Sequence, residues 1–137
     1  MKLNIESMQR MSLFERMTKA QIKDCFEDEF TKQIVFVVQP AQIGKALGKG
    51  ASNIKKLRET FGKKIKIVEY NPSVERFVQN LVFPLKIDGI TTEDGLICIK
   101  SHDTKTKGLL IGRNAQALRN TEKIVKRYFK IEEIKVI

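Results

Sequence analysis

Along the first 20 positions apolar residues recur every two to four: Met8, Met11, Leu13, Phe14 and Met17, with charged residues between them. That spacing predicts a helix. The stretch KDCFEDEFTKQIVFVV then changes period, and its Val, Ile and Phe content predicts strands over residues 23–27 and 32–38. The acidic EDE between Phe26 and Phe30 is expected to turn the chain between them. Residues 34–38 are apolar without interruption, the pattern of a strand buried on both faces. Pro40 ends that strand, and AQIGKAL predicts a short helix. A glycine loop follows, then SNIKKLRETF, a helix whose Ile54, Leu57 and Phe61 share one face and whose end is expected at Gly62. KIKIVEY alternates as a strand, with Ile65 and Ile67 on one side and Lys64 and Lys66 on the other.

The pattern then starts again. Asn71 is placed to cap a helix and Pro72 to occupy its first turn. Val74, Phe77, Val78, Leu81 and Val82 form the apolar stripe, and Pro84 ends it. Strands are expected over 85–90 and 96–100, with TTEDG as the turn. KTKGLLI leads into a second glycine loop, a basic helix over 116–129 and a last strand over 131–137. Each half reads helix, strand, strand, helix, loop, helix, strand. At an offset of 64, Gly44 meets Gly108, Gly48 meets Gly112 and Ala51 meets Ala115, while Leu47/Ile111, Lys49/Arg113 and Ile54/Leu118 are conservative pairs. The chain is a tandem repeat in layout more than in letters.

Charge sharpens this picture. Of the 137 residues, 26 are Lys or Arg and 16 are Asp or Glu, a net charge of +10. Residues 1–31 hold five Lys and Arg against six Asp and Glu, so the whole surplus lies beyond them. Such a surplus favours a polyanionic partner, nucleic acid before an anionic membrane. The start MKLNIESMQR leads into no apolar signal segment, and the longest apolar run is far short of a bilayer span. A cytoplasmic protein without membrane association is expected. Cys25 and Cys98 lack metal or redox spacing and are expected to be reduced and buried. His102 has no ligand or triad partner near it in sequence and is expected on the surface. The scattered Asp and Glu residues read as solvated, so no enzyme, metal site or cofactor is expected.

The candidate chemistry lies in the two loops, GKGASNIKKL from Gly48 and GRNAQALRNT from Gly112. Each opens with glycine and a cation just ahead of a helix, where backbone N–H groups and the positive dipole end favour a phosphate. A nucleotide P-loop is excluded: only three residues separate Gly44 from Gly48, and Lys49 is followed by Gly50 rather than Ser or Thr. A dinucleotide fold is excluded because no strand leads into either loop. Lys49 and Arg113 are the candidate phosphate contacts, within a candidate nucleic-acid-binding set of Gly48, Lys49, Gly50, Ala51, Asn53, Lys55 and Lys56 in the first half, and Gly112, Arg113, Asn114, Ala115, Gln116 and Arg119 in the second. Arg58, Lys123, Lys126 and Arg127 extend a basic track.

A helix–GxxG–helix unit in αββααβ order resembles the type II KH domain, a single-strand-binding module. ALGKGASNIKKL and LLIGRNAQAL look like its signature, and two units joined directly look like the tandem of the archaeal NusA-like transcription factors. The acidic KDC strand, the stretch GKKIKIVEYN and the GR of the second loop are similar to that family as well. The resemblance implies an α+β fold of two KH domains, over 1–70 and 71–137, each a three-stranded sheet packed by helices. It implies binding of single-stranded RNA near RNA polymerase and action in transcription termination or antitermination; a monomer is expected. A ribosomal-RNA assembly factor would use the same loops, and a protein-interaction module would have loops that no longer hold RNA. One departure bears on these alternatives: the last position of GxxG is Ala51 in one loop and Ala115 in the other. Alanine resists positive φ, so either the affinity falls or the first loop shifts register to use Gly50.

Overall fold

The computed structural model describes residues 4–137 and divides into two compact units at Asn71/Pro72. The first contains α1 (Ile5–Thr18), β1 (Ile22–Asp28), β2 (Gln33–Val38), α2 (Ile43–Leu47), α3 (Ser52–Phe61) and β3 (Lys64–Glu69). The second contains α4 (Val74–Val82), β4 (Gly89–Glu93), β5 (Leu96–Lys100), α5 (Thr104–Ile111), α6 (Gln116–Val125) and β6 (Glu133–Val136). The order αββααβ occurs twice, in an α+β chain with two three-stranded sheets. In each sheet the middle strand pairs antiparallel with the strand before it and parallel with the last strand, giving orders β1-β2-β3 and β4-β5-β6.

The parallel pairing positions the loops. β2 and β3 run side by side from Gln33↔Lys64 to Val38↔Glu69. The chain leaves β2 at Val38 and must return to Lys64, so α3 runs back along the sheet. The loop before α3 therefore lies at the Val38/Glu69 end, opposite the β1–β2 turn. The β5/β6 register, Leu96↔Glu133 to Ile99↔Val136, dictates the same arrangement for the second loop.

Inward-facing apolar residues hold each unit together. In the first, Phe14, Ala20, Cys25, Ile34, Phe36, Val38, Ala46, Leu57 and Ile65 form the core. The Phe14 and Phe36 rings stack at 4.4 Å, and Phe61 lies 5.5 Å from Phe36. Each such ring removed from water contributes about 1.5–3 kcal/mol. All five residues from Ile34 to Val38 are fully buried, as their uninterrupted apolar run predicts. In the second unit Phe77, Val78, Leu81, Ile97, Ile99, Leu110, Leu118, Ile124, Val125 and Ile134 are buried.

Several local expectations are corrected. The turn after β1 begins at Glu29, beyond the start of EDE, because the Asp28 carboxylate accepts from the N–H groups of Phe30 and Thr31. TTEDG is mostly strand: Thr91, Thr92 and Glu93 pair with Cys98, Ile97 and Leu96. The turn is Asp94-Gly95 alone, with φ of 50° and 81°, the two-residue hairpin geometry that Asp-Gly favours. α4 is capped by Ser73, which accepts from Arg76 N–H, and not by Asn71. α6 stops at Val125, and Tyr128 and Phe129 leave the helix to pack on Phe77 at 5.4 and 5.6 Å. Of the two cysteines only Cys25 is buried; Cys98 is half-buried.

Candidate nucleic-acid interface

The two loops share one backbone. Gly48 adopts φ 73°, ψ 177°, and Gly112 adopts φ 73°, ψ 176°. The third position is left-handed in both, Gly50 at φ 62° and Asn114 at φ 54°. So is the fourth, Ala51 at φ 58° and Ala115 at φ 61°. The same hydrogen bonds recur: Gly48 N–H donates to Gly44 O at 3.0 Å and Gly112 N–H to Gly108 O at 2.8 Å. Ala51 N–H donates to Gly48 O at 3.1 Å, and Ala115 N–H to Gly112 O at 3.2 Å. The first loop keeps the register of the second, and alanine takes the left-handed conformation in each.

Those alanines stand at the N-cap positions of α3 and α6. An N-cap side chain is commonly Ser, Thr, Asp or Asn, whose oxygen accepts from the first turn. Alanine has no such oxygen, so neither helix start is capped by a side chain. Lys49 and Arg113, the second residues of the loops, are exposed. Gly50 and Ala51 are exposed in the first loop and Asn114 and Gln116 in the second, and Lys55 and Lys56 lie exposed on α3. Each loop thus combines an exposed cation with the positive end of a ten-residue helix.

Two candidates are held by bonds within the chain. Asn53 is half-buried, and its Nδ2 donates to Lys45 O at 3.2 Å and Ala46 O at 3.1 Å, joining α3 to the end of α2. Arg119 reaches the Glu122 carboxylate at 2.7 Å and Glu133 at 3.8 Å. Glu122 is buried, and the same oxygen accepts from Ile134 N–H at 2.8 Å, tying α6 to β6. This corrects the reading of the acidic residues as solvated, since Asp24 and Asp28 are buried too. The available signal for Glu122 is its place within the buried stripe Leu118–Val125, four residues after Leu118.

The helices that lead into the two loops begin differently. Asp103 caps α5, accepting from Thr106 N–H at 3.2 Å and Thr106 Oγ at 2.6 Å. The Thr106 hydroxyl bond holds the Asp103 carboxyl below its ordinary value. His102 is exposed, as expected, but it has a partner distant in sequence: its Nδ1 lies 2.6 Å from an Asp88 oxygen, which also accepts His102 N–H. That ring contact, followed by the N–H bond, lowers the Asp88 carboxyl. Before α2 stands Gln42, which makes no cap bond and instead accepts from Gln21 N–H. Among the described residues there is no cluster of three His, Cys, Asp or Glu able to hold a metal, and no helix long and apolar enough to cross a membrane.

The comparisons with known proteins agree with this geometry. The KH domain family matches residues 8–90. The chain is 33% identical to the probable transcription termination protein NusA of Methanococcus vannielii, over 99% of its own length and 79% of that protein's. It is 30% identical to the protein of the same name from Methanocaldococcus jannaschii, over 99% and 75%. The crystal structure of APE1850 superposes with a TM-score of 0.78 at 29% identity, covering 98% of this chain and 100% of that one.

Proposed function

Because the chain belongs to the KH domain family, in its archaeal NusA-like branch, we propose that it is an RNA-binding transcription termination factor that grips single-stranded RNA with both loops. The observation carrying this reading is that the loops keep one backbone although Gly50 is replaced by Asn114 and Lys49 by Arg113. A merely connecting turn would not need the same left-handed pair, an alanine at the cap and an exposed cation in both units.

Each loop holds a phosphate between its backbone N–H groups, the positive helix end and the side chain of Lys49 or Arg113. Each unit takes about four nucleotides, as KH units do. Two units on one chain raise the effective concentration of the second contact. Asn53 serves the site indirectly, by fixing the angle between α2 and α3. Termination acts on a transcribing polymerase, so a contact with RNA polymerase belongs to this reading; the chain itself works as a cytoplasmic monomer without catalytic activity.

The test is binding of labelled single-stranded RNA across a salt series, with the native protein, Lys49→Asp, Arg113→Asp and the double variant. Each single variant is expected to lose affinity at every salt concentration and to lower the salt slope by about 0.7, the value for one phosphate of a single strand. Equal binding by all four proteins sinks the loop mechanism.

A further inference from the structure

Resting on the RNA-binding reading, we infer that the second unit carries another phosphate-binding surface, at the end of α6 remote from its loop. Lys123 near the end of α6, its C-cap Lys126 and Arg127 in the turn after it are spaced i, i+3 and i+4, and Lys130 follows three residues on. A hydrogen-bonded turn follows the helix: Lys126 N–H donates to Glu122 O, Arg127 N–H to Ile124 O, and Tyr128 and Phe129 N–H to Val125 O. Lys123, Lys126, Arg127 and Lys130 are all exposed. Phe129 and Tyr128 pack on Phe77, which fixes the segment bearing these cations against the core.

Two of the nearby carboxylates are engaged elsewhere. Glu122 is buried between Arg119 and Ile134 N–H. Glu133 lies 3.8 Å from Arg119. The third, Glu132, passes its Cβ–Cγ stem over Gly95 on the β4–β5 turn, and its one charge leaves the four cations in surplus. The Arg119–Glu122 pair separates this patch from Arg113, with roughly 15 Å of helix between Gln116 and Lys126. A single RNA chain leaving the loop can cover that distance.

The first unit lacks the counterpart. At the offset of 64, which holds along the two helices, Lys123 corresponds to Glu59. Beyond them α3 is joined to β3 by residues 62–63 alone, whereas residues 126–132 join α6 to β6. Lys126, Arg127 and Lys130 thus lie in a longer link that the first unit lacks. The one cation in the short link of the first unit, Lys63, is bound to Glu27 at 3.1 Å. A helix end needs about one cation to offset its dipole. α3 ends with Arg58 and a left-handed Gly62, whereas four cations within eight residues exceed that need. The ligand whose chemistry fits is the phosphodiester backbone of the same strand, running beyond the nucleotides held at the loop.

The experiment compares a single-stranded RNA of twelve nucleotides with a tetranucleotide, for the native protein, Lys123→Gln/Lys126→Gln/Lys130→Gln, and the control Lys86→Gln/Lys100→Gln/Lys105→Gln. The patch variant is expected to lower the salt slope on the longer RNA by about 2, since each phosphate left without its cation takes about 0.7 from the slope. Its binding of the tetranucleotide should equal native, and the control should leave both unchanged. An unchanged slope on the longer RNA overturns the inference. So does an equal loss on both RNAs, or an equal loss from the control, since either means that only net charge was felt. A native protein that binds neither RNA overturns the inference together with the reading it rests on. If instead the patch variant behaves as expected while Lys49→Asp and Arg113→Asp bind as native, the patch stands and the loop mechanism fails.

Discussion

The two units build one loop from different letters, and the difference shows what the loop requires. Gly48 and Gly112 are common to both, and each occupies φ near 73° with ψ near 180°, a region that essentially only glycine enters. The third position accepts Gly50 or Asn114, both at ease in the left-handed region. The fourth is alanine in both, held left-handed against its preference. Only the first position is therefore fixed by sterics. The others are imposed by the bonds from Gly48 to Gly44 and from Ala51 to Gly48, repeated 64 residues later.

The sharpest way to break this equivalence is to add a methyl at the first position. In Gly112→Ala the new Cβ would lie 2.7 Å from Ala117 Cβ and 3.0 Å from Ala117 N, and backbone cannot yield. In Gly48→Ala it would meet Asn53 Nδ2 at 2.9 Å, the end of a side chain that can move aside by giving up its bonds to Lys45 O and Ala46 O. Both variants carry the φ penalty, but only the second-unit variant adds unavoidable overlap. We expect a loss of about 3 kcal/mol or more for Gly112→Ala and about 2 for Gly48→Ala. Amide hydrogen exchange, which reads α2–α3 and α5–α6 separately, checks the order. Equal losses would show that the neighbour at the fifth position after the glycine does not matter.

A smaller difference lies on the helices after the loops. Glu122→Ala removes the acceptor shared by Arg119 and Ile134 N–H and should loosen β6 from α6 by about 2 kcal/mol, as expected for a charge-assisted bond in a buried place. In the first unit the position at the same offset is Arg58, which is exposed, and Arg58→Ala should change stability by less than about 0.5 kcal/mol. Unfolding in urea distinguishes them. Comparable losses would mean that the Glu122 bonds contribute nothing beyond helix propensity.

How much of the molecule is legible in its sequence follows from the range of each signal. The αββααβ order, the buried run of β2, the Gly62 cap and the paired loops all come from local periodicity or single residues with special φ preference, and those can be read in a row of letters. The features that sequence misplaces depend on partners. The Asp94-Gly95 turn is a strong local signal, but Thr91 to Glu93 read as loop until their pairing with β5 is known. Asn53 reads as an RNA contact because it is polar beside a loop, yet its amide is directed at carbonyls eight and seven residues earlier. Arg119 and Glu122, three apart, are a helix pair that sequence permits, but the third participant, Ile134 N–H, comes from a strand. The offset of 64 itself holds only around the loops: the sheets align Ile34 with Ile97, one residue short of it, and Ile65 with Ile134, well beyond it because the second unit has a longer link before β6.

The alanines offer a test in the stabilising direction. Ala51→Gly and Ala115→Gly relieve the left-handed strain while adding freedom to the unfolded chain, for a net gain of about 0.5 kcal/mol each. The two gains should match, because the φ values differ by only 58° against 61°. Thermal unfolding measures this, and a loss in either variant would mean that the methyl packs usefully. RNA titration of the same variants shows whether removing the methyl also lets a phosphate come closer.

The last difference is visible only in acid. Asp103 caps α5 and its carboxyl is held below the ordinary value, first by the Thr106 hydroxyl; Asp88, held low by His102, sits beside the same helix start. A carboxyl with a depressed folded value contributes its stability in full above the unfolded value, near 3.8 for both groups, and loses it as pH falls through the folded value. The start of α5 should therefore loosen below about pH 4. The start of α2 has Gln42 in that place and nothing to titrate. The first unit has its own depressed carboxyl in Glu27, lowered by Lys63 and then Arg10, but it ties α1 and β1 and lies at the other end of the sheet from the loop. Backbone NMR signals followed from about pH 5 to about pH 2 should show α5 changing before α2. Asp103→Asn should remove part of that step and Asp88→Asn/Asp103→Asn the rest, since neither amide titrates. If α2 and α5 shift together in the native protein, the acid response belongs to the units as wholes and not to the cap that distinguishes them.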